Sequence, residues 1–282
     1  FFDKIPTTQF YTVSYDMQTP FNVFGAVQDE GTMSGSISNT FGKASDTTLR
    51  PWMMAPGGEG TQIQVDPKNP DVVFSSTYYG RLMKSDMSKP DSVQSKRISI
   101  FDVGRIDSLR GEWLAGTLQS KHENWVIYHG LQHLYKSEDA GETWKMISPD
   151  LSYNNNAKMG VYPYLIYHQA ITSIVEGNAR GVLWAGTDDG RVWRTDNGGQ
   201  TWEEKTKGLP FNKHVAKIVT YPFNDNTVYV VLNGRRDDDH TPYIFVSYDY
   251  GSTWQKISYN LPASPVNVLL IDPDRGHFYC GT

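Results

Sequence analysis

Carboxylates, paired arginines and loop aromatics are the residues of this 282-residue chain whose types and spacing could do chemistry. A glycosidic bond is cleaved between two carboxyl groups, about 5–5.5 Å apart in a retaining enzyme and about 6.5–9.5 Å apart in an inverting one. Asp29, Glu59 and Asp188 all stand beside glycines, in Gln28-Asp29-Glu30-Gly31, Gly57-Gly58-Glu59-Gly60 and Asp188-Asp189-Gly190. Glu59 with Asp29 or Asp188 is the candidate acid pair. The plainer reading is that Asp29 and Asp188 hydrogen-bond their own glycine-containing turns, and that Glu59 is a solvated loop acid. Candidates for holding a ligand are Glu30, Trp52, Tyr78, Tyr79, Tyr164, His168, Asp189, Arg235 and Arg236. Aromatics stack on sugar rings, and charged groups pair with a ligand's polar groups.

Other chemistries find less support. Asp188-Asp189 and Asp237-Asp238-Asp239 offer oxygen ligands for Ca²⁺, but neither has the spacing of a defined calcium loop. His129 and His133 stand four apart on a strand-and-loop segment, where that spacing does not place them on one helical face. No metal site and no cofactor are therefore expected. Gly57-Gly58-Glu59-Gly60 puts an acid where a phosphate needs donors, and no nucleophile elbow is present. A sialidase needs three arginines and a tyrosine nucleophile, whereas the arginines here are scattered. Arg235-Arg236 before Asp237-Asp238-Asp239 reads either as an anion clamp or as opposite charges paired in a solvated loop.

The elements that position these residues are read from a repeat. Ser137-Glu138-Asp139-Ala140-Gly141-Glu142-Thr143-Trp144 recurs as Thr195-Asp196-Asn197-Gly198-Gly199-Gln200-Thr201-Trp202 and as Ser247-Tyr248-Asp249-Tyr250-Gly251-Ser252-Thr253-Trp254. The pattern is Ser/Thr-x-Asp/Asn-x-Gly-x-Thr-Trp, at starts 137, 195 and 247. Such a pattern is a tight turn: the Asp or Asn accepts from backbone N–H groups, and the glycine takes positive φ without a Cβ. The Trp is an apolar plate for the neighbouring unit. His133–Lys136, Arg191–Arg194 and Tyr243–Val246 read as the strands before the turns. Trp125–Tyr128, Val182–Ala185 and Val228–Val231 read as second strands, with Ala170–Val175 and Val215–Val219 innermost. Four short strands in about 50 to 60 residues make a propeller blade.

Degenerate copies begin at Phe10–Tyr15 and Gln62–Phe74, and a further blade opens at Val266–Arg275. The expectation is an all-β propeller of about five blades and a partial one, an incomplete part of a larger propeller, with no second domain. In such a blade the turns between third and fourth strands lie on one face of the disc. The opposite face receives the second-to-third-strand loops and the loops leading into the innermost strands, among them those with Trp52, Glu59, Trp113, Tyr162, Tyr167 and His214.

The three turns resemble the Asp-box, or bacterial neuraminidase repeat. That motif occurs in sialidases, xyloglucan-cleaving propellers, sortilin-type receptors and a photosystem assembly factor. Phe24–Thr32, Gly57–Gly60, Ile147–Leu151, Trp184–Gly190 and Asn233–Asp239 are similar to an exported bacterial family labelled sortilin-like or Asp-box "glycosyl hydrolase". Glu30 and Glu59 depart from the Asn and Asp of its pattern. The resemblance implies a large exported propeller, often followed by further domains, and no settled reaction.

Composition narrows the partners. The net charge is −5, which lacks the basic face of a nucleic-acid or anionic-membrane binder. No run near 18 apolar residues exists to span a membrane. Cys280 is the one cysteine, so no intrachain disulfide forms. Phe1-Phe2-Asp3-Lys4 does not open a signal peptide. The leading expectation is a noncatalytic exported binding or scaffold propeller presenting its loop-rich face to a protein or glycan. The alternative is a glycoside hydrolase acting on a polysaccharide.

Overall fold

The computed structural model describes residues 9–39, 53–57, 62–100, 109–161, 164–165 and 168–282. Five four-stranded antiparallel sheets follow one another along the chain as the blades of a β-propeller. The first contains β1 (Phe10–Tyr15), β2 (Asn22–Val27), β3 (Gly31–Ser36) and β4 (Met53–Ala55). The second contains β5 (Ile63–Val65), β6 (Val72–Thr77), β7 (Arg81–Asp86) and β8 (Ser95–Arg97). The third contains β9 (Thr117–Gln119), β10 (Ile127–Gly130), β11 (Leu134–Ser137) and β12 (Lys145–Met146). A short hairpin, β13 (Gly160–Val161) with β14 (Tyr164–Leu165), precedes the fourth blade. That blade contains β15 (Ile171–Glu176), β16 (Leu183–Thr187), β17 (Val192–Thr195) and β18 (Glu203–Glu204). The fifth contains β19 (His214–Thr220), β20 (Val228–Gly234), β21 (Asp239–Ser247) and β22 (Gln255–Lys256). A two-stranded sheet, β23 (Val268–Asp272) with β24 (His277–Gly281), packs beside it.

The core is distributed between blades. Phe24, Ala26 and Ile63 meet Val73 between the first two, and Val72, Phe74, Leu82 and Ile98 meet Ile127 between the next two. Tyr128, Leu134, Ile171 and Leu183 join the third to the fourth, and Trp184, Val215, Val230 and Phe245 join the fourth to the fifth. Alternation explains the arrangement: successive side chains of a strand point to opposite faces, and each of the second to fifth blades is covered on both by its neighbours.

The repeated turns have one geometry. In the first, Asp139 Oδ1 accepts the Thr143 N–H (2.8 Å) and Asp139 Oδ2 accepts the Thr143 hydroxyl (2.6 Å). Ser137 Oγ accepts the Gly141 N–H (2.7 Å). Asn197 and Thr195 make the same backbone bonds to Thr201 and Gly199 at 3.0 and 3.1 Å, and Asp249 and Ser247 make them to Thr253 and Gly251, both at 2.8 Å. Gly141 has φ +90°, and a Cβ there would meet Ile98 Cδ1 at 2.5 Å, so the position needs glycine on two counts. The Trp plates pack as expected and do one thing more. Each indole N–H donates at 2.8 Å to a backbone carbonyl of the preceding blade's outer segment: Trp144 to Ile98, Trp202 to Ile147 and Trp254 to Lys205.

Two local expectations need correction. Trp125 does not belong to the second strand of its blade: β10 begins at Ile127. Trp125 has φ +70° in the preceding turn, and its carbonyl accepts the Ala140 N–H (2.9 Å). The second blade lacks the repeated turn yet completes four strands, because Asp86 accepts the Ser88 N–H (3.2 Å) and hydroxyl (2.6 Å) in an Asx turn.

Candidate functional site

The loops between second and third strands gather on the face away from the repeated turns, with the segments that lead into β9, β15 and β19. There the chain buries charge. Glu112, before β9, is 2% exposed; His168, before β15, is 8% exposed; Asp188, after β16, is 0% exposed. One ligand-type atom of each lies within 4.8 Å of the other two. Arg236, from the β20–β21 loop, closes the group: one guanidinium nitrogen donates to Glu112 and another donates to Asp188 Oδ2 at 3.1 Å.

Backbone donors fix the carboxylates. Asp188 Oδ2 accepts the His168 N–H (2.7 Å) and Asp188 Oδ1 the Ala170 N–H (2.9 Å), so this acid ties the β16–β17 loop to the segment leading into β15. Glu112 Oε2 accepts the Leu114 N–H (2.5 Å). His168 Nδ1 stands 3.7 Å from Glu112 Oε1, too far for a hydrogen bond, and it is buried without a partner. The half-buried His214, at the start of β19, also has its Nδ1 without a partner.

Burial, and then the charge of Glu112, push the Asp188 carboxyl up to about 7 against the pull of Arg236. Burial opposes ionisation of Glu112 too, but Arg236, His214 and His168 hold it below its usual range. Burial lowers both imidazoles, His214 to about 4, so they are neutral at pH 7. The cluster is thus one guanidinium facing two carboxylates of unequal acidity.

An aromatic group stands beside it. Trp113 follows Glu112 and stacks on Tyr78 (5.4 Å between centroids, 20°), while Tyr79 meets Trp113 edge-on at 5.3 Å. The Tyr79 ring lies 5.4 Å from that of His168, and the Arg81 guanidinium sits 4.8 Å over Tyr78. Tyr79 has φ +61°, a left-handed conformation that is costly for a bulky residue and is found where the surroundings over-determine it.

Of the residues singled out from sequence, Asp188, His168 and Arg236 meet in the cluster, and Tyr78 and Tyr79 meet beside it. Asp29, at φ +61°, and Glu30 are exposed in the β2–β3 loop of the first blade, outside the cluster. Trp52, Glu59, Tyr162 and Tyr167 lie outside the described residues, and only the backbone of Tyr164 is described, in β14.

The own-turn reading fails for Asp188, whose oxygens reach another loop; Asp189 does both, its Oδ1 accepting the Thr187 hydroxyl (2.5 Å) and its Oδ2 the Tyr153 N–H (2.7 Å). Arg236 reaches the buried acids Glu112 and Asp188. Lys213 salt-bridges Asp237 and Asp239, at 3.2 and 3.0 Å. Arg235 is exposed. Glu112 was not singled out. Its signal was an acid beside Trp113 just ahead of a first strand.

No protein-family model matches the chain, and no curated protein matches it. Solved structures do. An ancestral GH74 enzyme is similar over 95% of this chain and 33% of its own, at 15% identity and TM-score 0.66. The GH74 xyloglucanase of Xanthomonas campestris is similar over 95% of this chain and 41% of its own, at 16% identity and TM-score 0.62. A chain of the COPII outer coat vertex is similar over 96% of this chain and 69% of its own, at 10% identity and TM-score 0.63. The chain therefore spans about a third to two fifths of the length of these GH74 proteins. Among the described residues no helix is long and apolar enough to cross a membrane. At such identities the likeness establishes one thing, that this chain has the β-propeller fold of GH74 enzymes and COPII scaffold chains.

Proposed function

We propose that this chain is a noncatalytic binding propeller that presents its loop face to a protein or glycan partner. The observation that carries this reading is the use to which the buried acids are put. Both oxygens of Asp188 are taken by backbone N–H groups and Arg236, and the same guanidinium engages Glu112. A carboxylate so engaged holds blades together and is not open to a scissile bond. Beside it the Tyr78–Tyr79–Trp113 group offers flat, half-buried rings with polar tips, the surface on which sugars and peptide side chains stack.

The resemblance of the turns and loops to an exported bacterial family supports a place outside the cytoplasm. Val13, Tyr15, Leu270 and Tyr279 are more than half exposed on the first and last sheets, apolar surface that a neighbouring blade would cover; five blades and a partial one are then part of a larger propeller.

A glycan array with a pull-down of surface proteins tests the reading: binding that falls at least about tenfold in Trp113→Ala supports it. A glycoside hydrolase is the second reading, favoured by one observation. Asp188 titrates near neutrality while Glu112 stays ionised, the split that an acid and its partner carboxylate need. Reducing-end release from a polysaccharide that disappears in both Asp188→Asn and Glu112→Gln would overturn the binding-only reading.

A further inference from the structure

The buried cluster contains an imidazole nitrogen that no protein atom satisfies. His168 Nδ1 is buried without a hydrogen-bond partner, 3.7 Å from a Glu112 oxygen. Leaving a buried polar atom unmet is destabilising, so the position calls for an occupant. The occupant is cationic, because two carboxylates converge on the same point and a guanidinium is already drawn to them.

We propose that Glu112, His168 and Asp188 form a binding site for a divalent transition-metal ion of the Zn²⁺ type, which Arg236 holds closed in the metal-free protein.

Zn²⁺ binds nitrogen and oxygen ligands at about 2.0–2.2 Å in a tetrahedron, so two ligands of one ion lie about 3.4 Å apart. The three ligand atoms lie within 4.8 Å of one another, and His168 Nδ1 already stands 3.7 Å from Glu112 Oε1, so closing on an ion needs a contraction of at most about 1.4 Å in any pair. The mixed donor set suits Zn²⁺ or Co²⁺ better than Ca²⁺, which asks for six to eight oxygens. Both carboxylates are held from behind by backbone N–H groups, as metal-binding carboxylates commonly are. Charge balances as well, since two carboxylates neutralise the ion once the guanidinium has left.

Arg236 has somewhere to go. It stands on the exposed turn Arg235–Asp237, and its side chain is 29% exposed, whereas those of Glu112 and Asp188 are 3% and 0% exposed. None of this depends on whether the face binds a protein or a glycan.

The test is titration of the chelator-treated 282-residue protein with Co²⁺, followed by visible d–d absorption, and with Zn²⁺ in competition with a chromophoric chelator. One equivalent is expected to bind. Arg236→Ala tightens binding at least about tenfold, and His168→Ala weakens it by about 100-fold. Glu112→Gln in the Arg236→Ala background serves as the second probe if His168→Ala does not fold, with circular dichroism reporting folding. Absence of stoichiometric binding in both the wild type and Arg236→Ala overturns the proposal. So does binding in Arg236→Ala that neither His168→Ala nor Glu112→Gln weakens.

Discussion

On the turn face, three blades are each fastened to their predecessor by the same neutral hydrogen bond, from a Trp indole to a backbone carbonyl at 2.8 Å. The turn face has ionisable ties as well, from Ser120 and Lys121 to Glu176 and from the Asn178 and Ala179 N–H groups to Asp225, but on the loop face the ionisable ties differ from blade to blade. Asp188 reaches two backbone N–H groups ahead of its own blade's first strand, Arg236 reaches across to Glu112, and His129 bridges Thr117 Oγ1 and the Gly80 carbonyl, each at 2.9 Å. The same loop even changes its chemistry between blades. Thr77-Tyr78-Tyr79-Gly80-Arg81 carries two aromatics where Thr187-Asp188-Asp189-Gly190-Arg191 carries two acids. The repeating ties belong to the fold, and the non-repeating ties mark where this molecule has been specialised.

The largest expected effect comes from breaking a loop-face tie. Asp188→Ala leaves Arg236 facing a lost partner and two buried N–H groups unsatisfied, at a cost of about 3 kcal/mol in urea unfolding. A loss smaller than that of Trp202→Phe would abolish the distinction between the faces.

pH supplies the next. Burial lowers His129 to about 4, so the fold favours its neutral form. Its contribution is fully present above about pH 6.5 and drains away as pH falls toward 4, on the order of 2 kcal/mol. Asp188 runs the other way: its raised pKa makes its contribution greatest below about pH 4 and smaller as pH rises toward 7. Urea midpoints across this range, with His129→Gln flattening the acid limb, check the first sign. Asp188→Asn, flattening the opposite slope, checks the second.

Trp202→Phe keeps the apolar plate and removes only the indole N–H to Ile147, so about 1 kcal/mol is expected, measured by the same unfolding.

The smallest effect is Asp139→Asn. Hydrogen bonds from the Thr143 hydroxyl and N–H, and from Ser137, hold Asp139 down at about 2, and bonds from Thr253, Ser247 and the Thr253 N–H do the same for Asp249. Asn197 builds the same turn without a charge. The substitution therefore leaves the pH 7 midpoint in place and removes acid sensitivity between about pH 4 and 2, where a depressed carboxylate gives up its contribution. Amide exchange across an acid titration should open the loop face first and the turn face last.

These contrasts explain what could be read from residues alone. The turns were legible because the hydrogen bonds of their Ser/Thr and Asp/Asn side chains close within eight residues, so the pattern and the geometry are the same information. The blades followed, since alternation and turn chemistry are local. The loop face was legible only as a roster. Asp188, His168, Tyr78 and Arg236 were placed on it by topology, but nothing in the chain said that Arg236 would pair with Glu112, 124 residues away. Glu112 itself has no counterpart at that register in the other blades. Its role arises from burial and from a partner on another blade, neither of which has a sequence period.

The indole bonds all point backwards along the chain, across separations of 46, 55 and 49 residues. Through these bonds the second, third and fourth blades are each clasped by the one that follows. A chain threading out N-terminus first can therefore secure each of these blades about 50 residues after it emerges, with its low-order contacts made in sequence. The assembly is a ratchet with a direction, and removing one clasp lengthens the span of unfastened chain by a single blade.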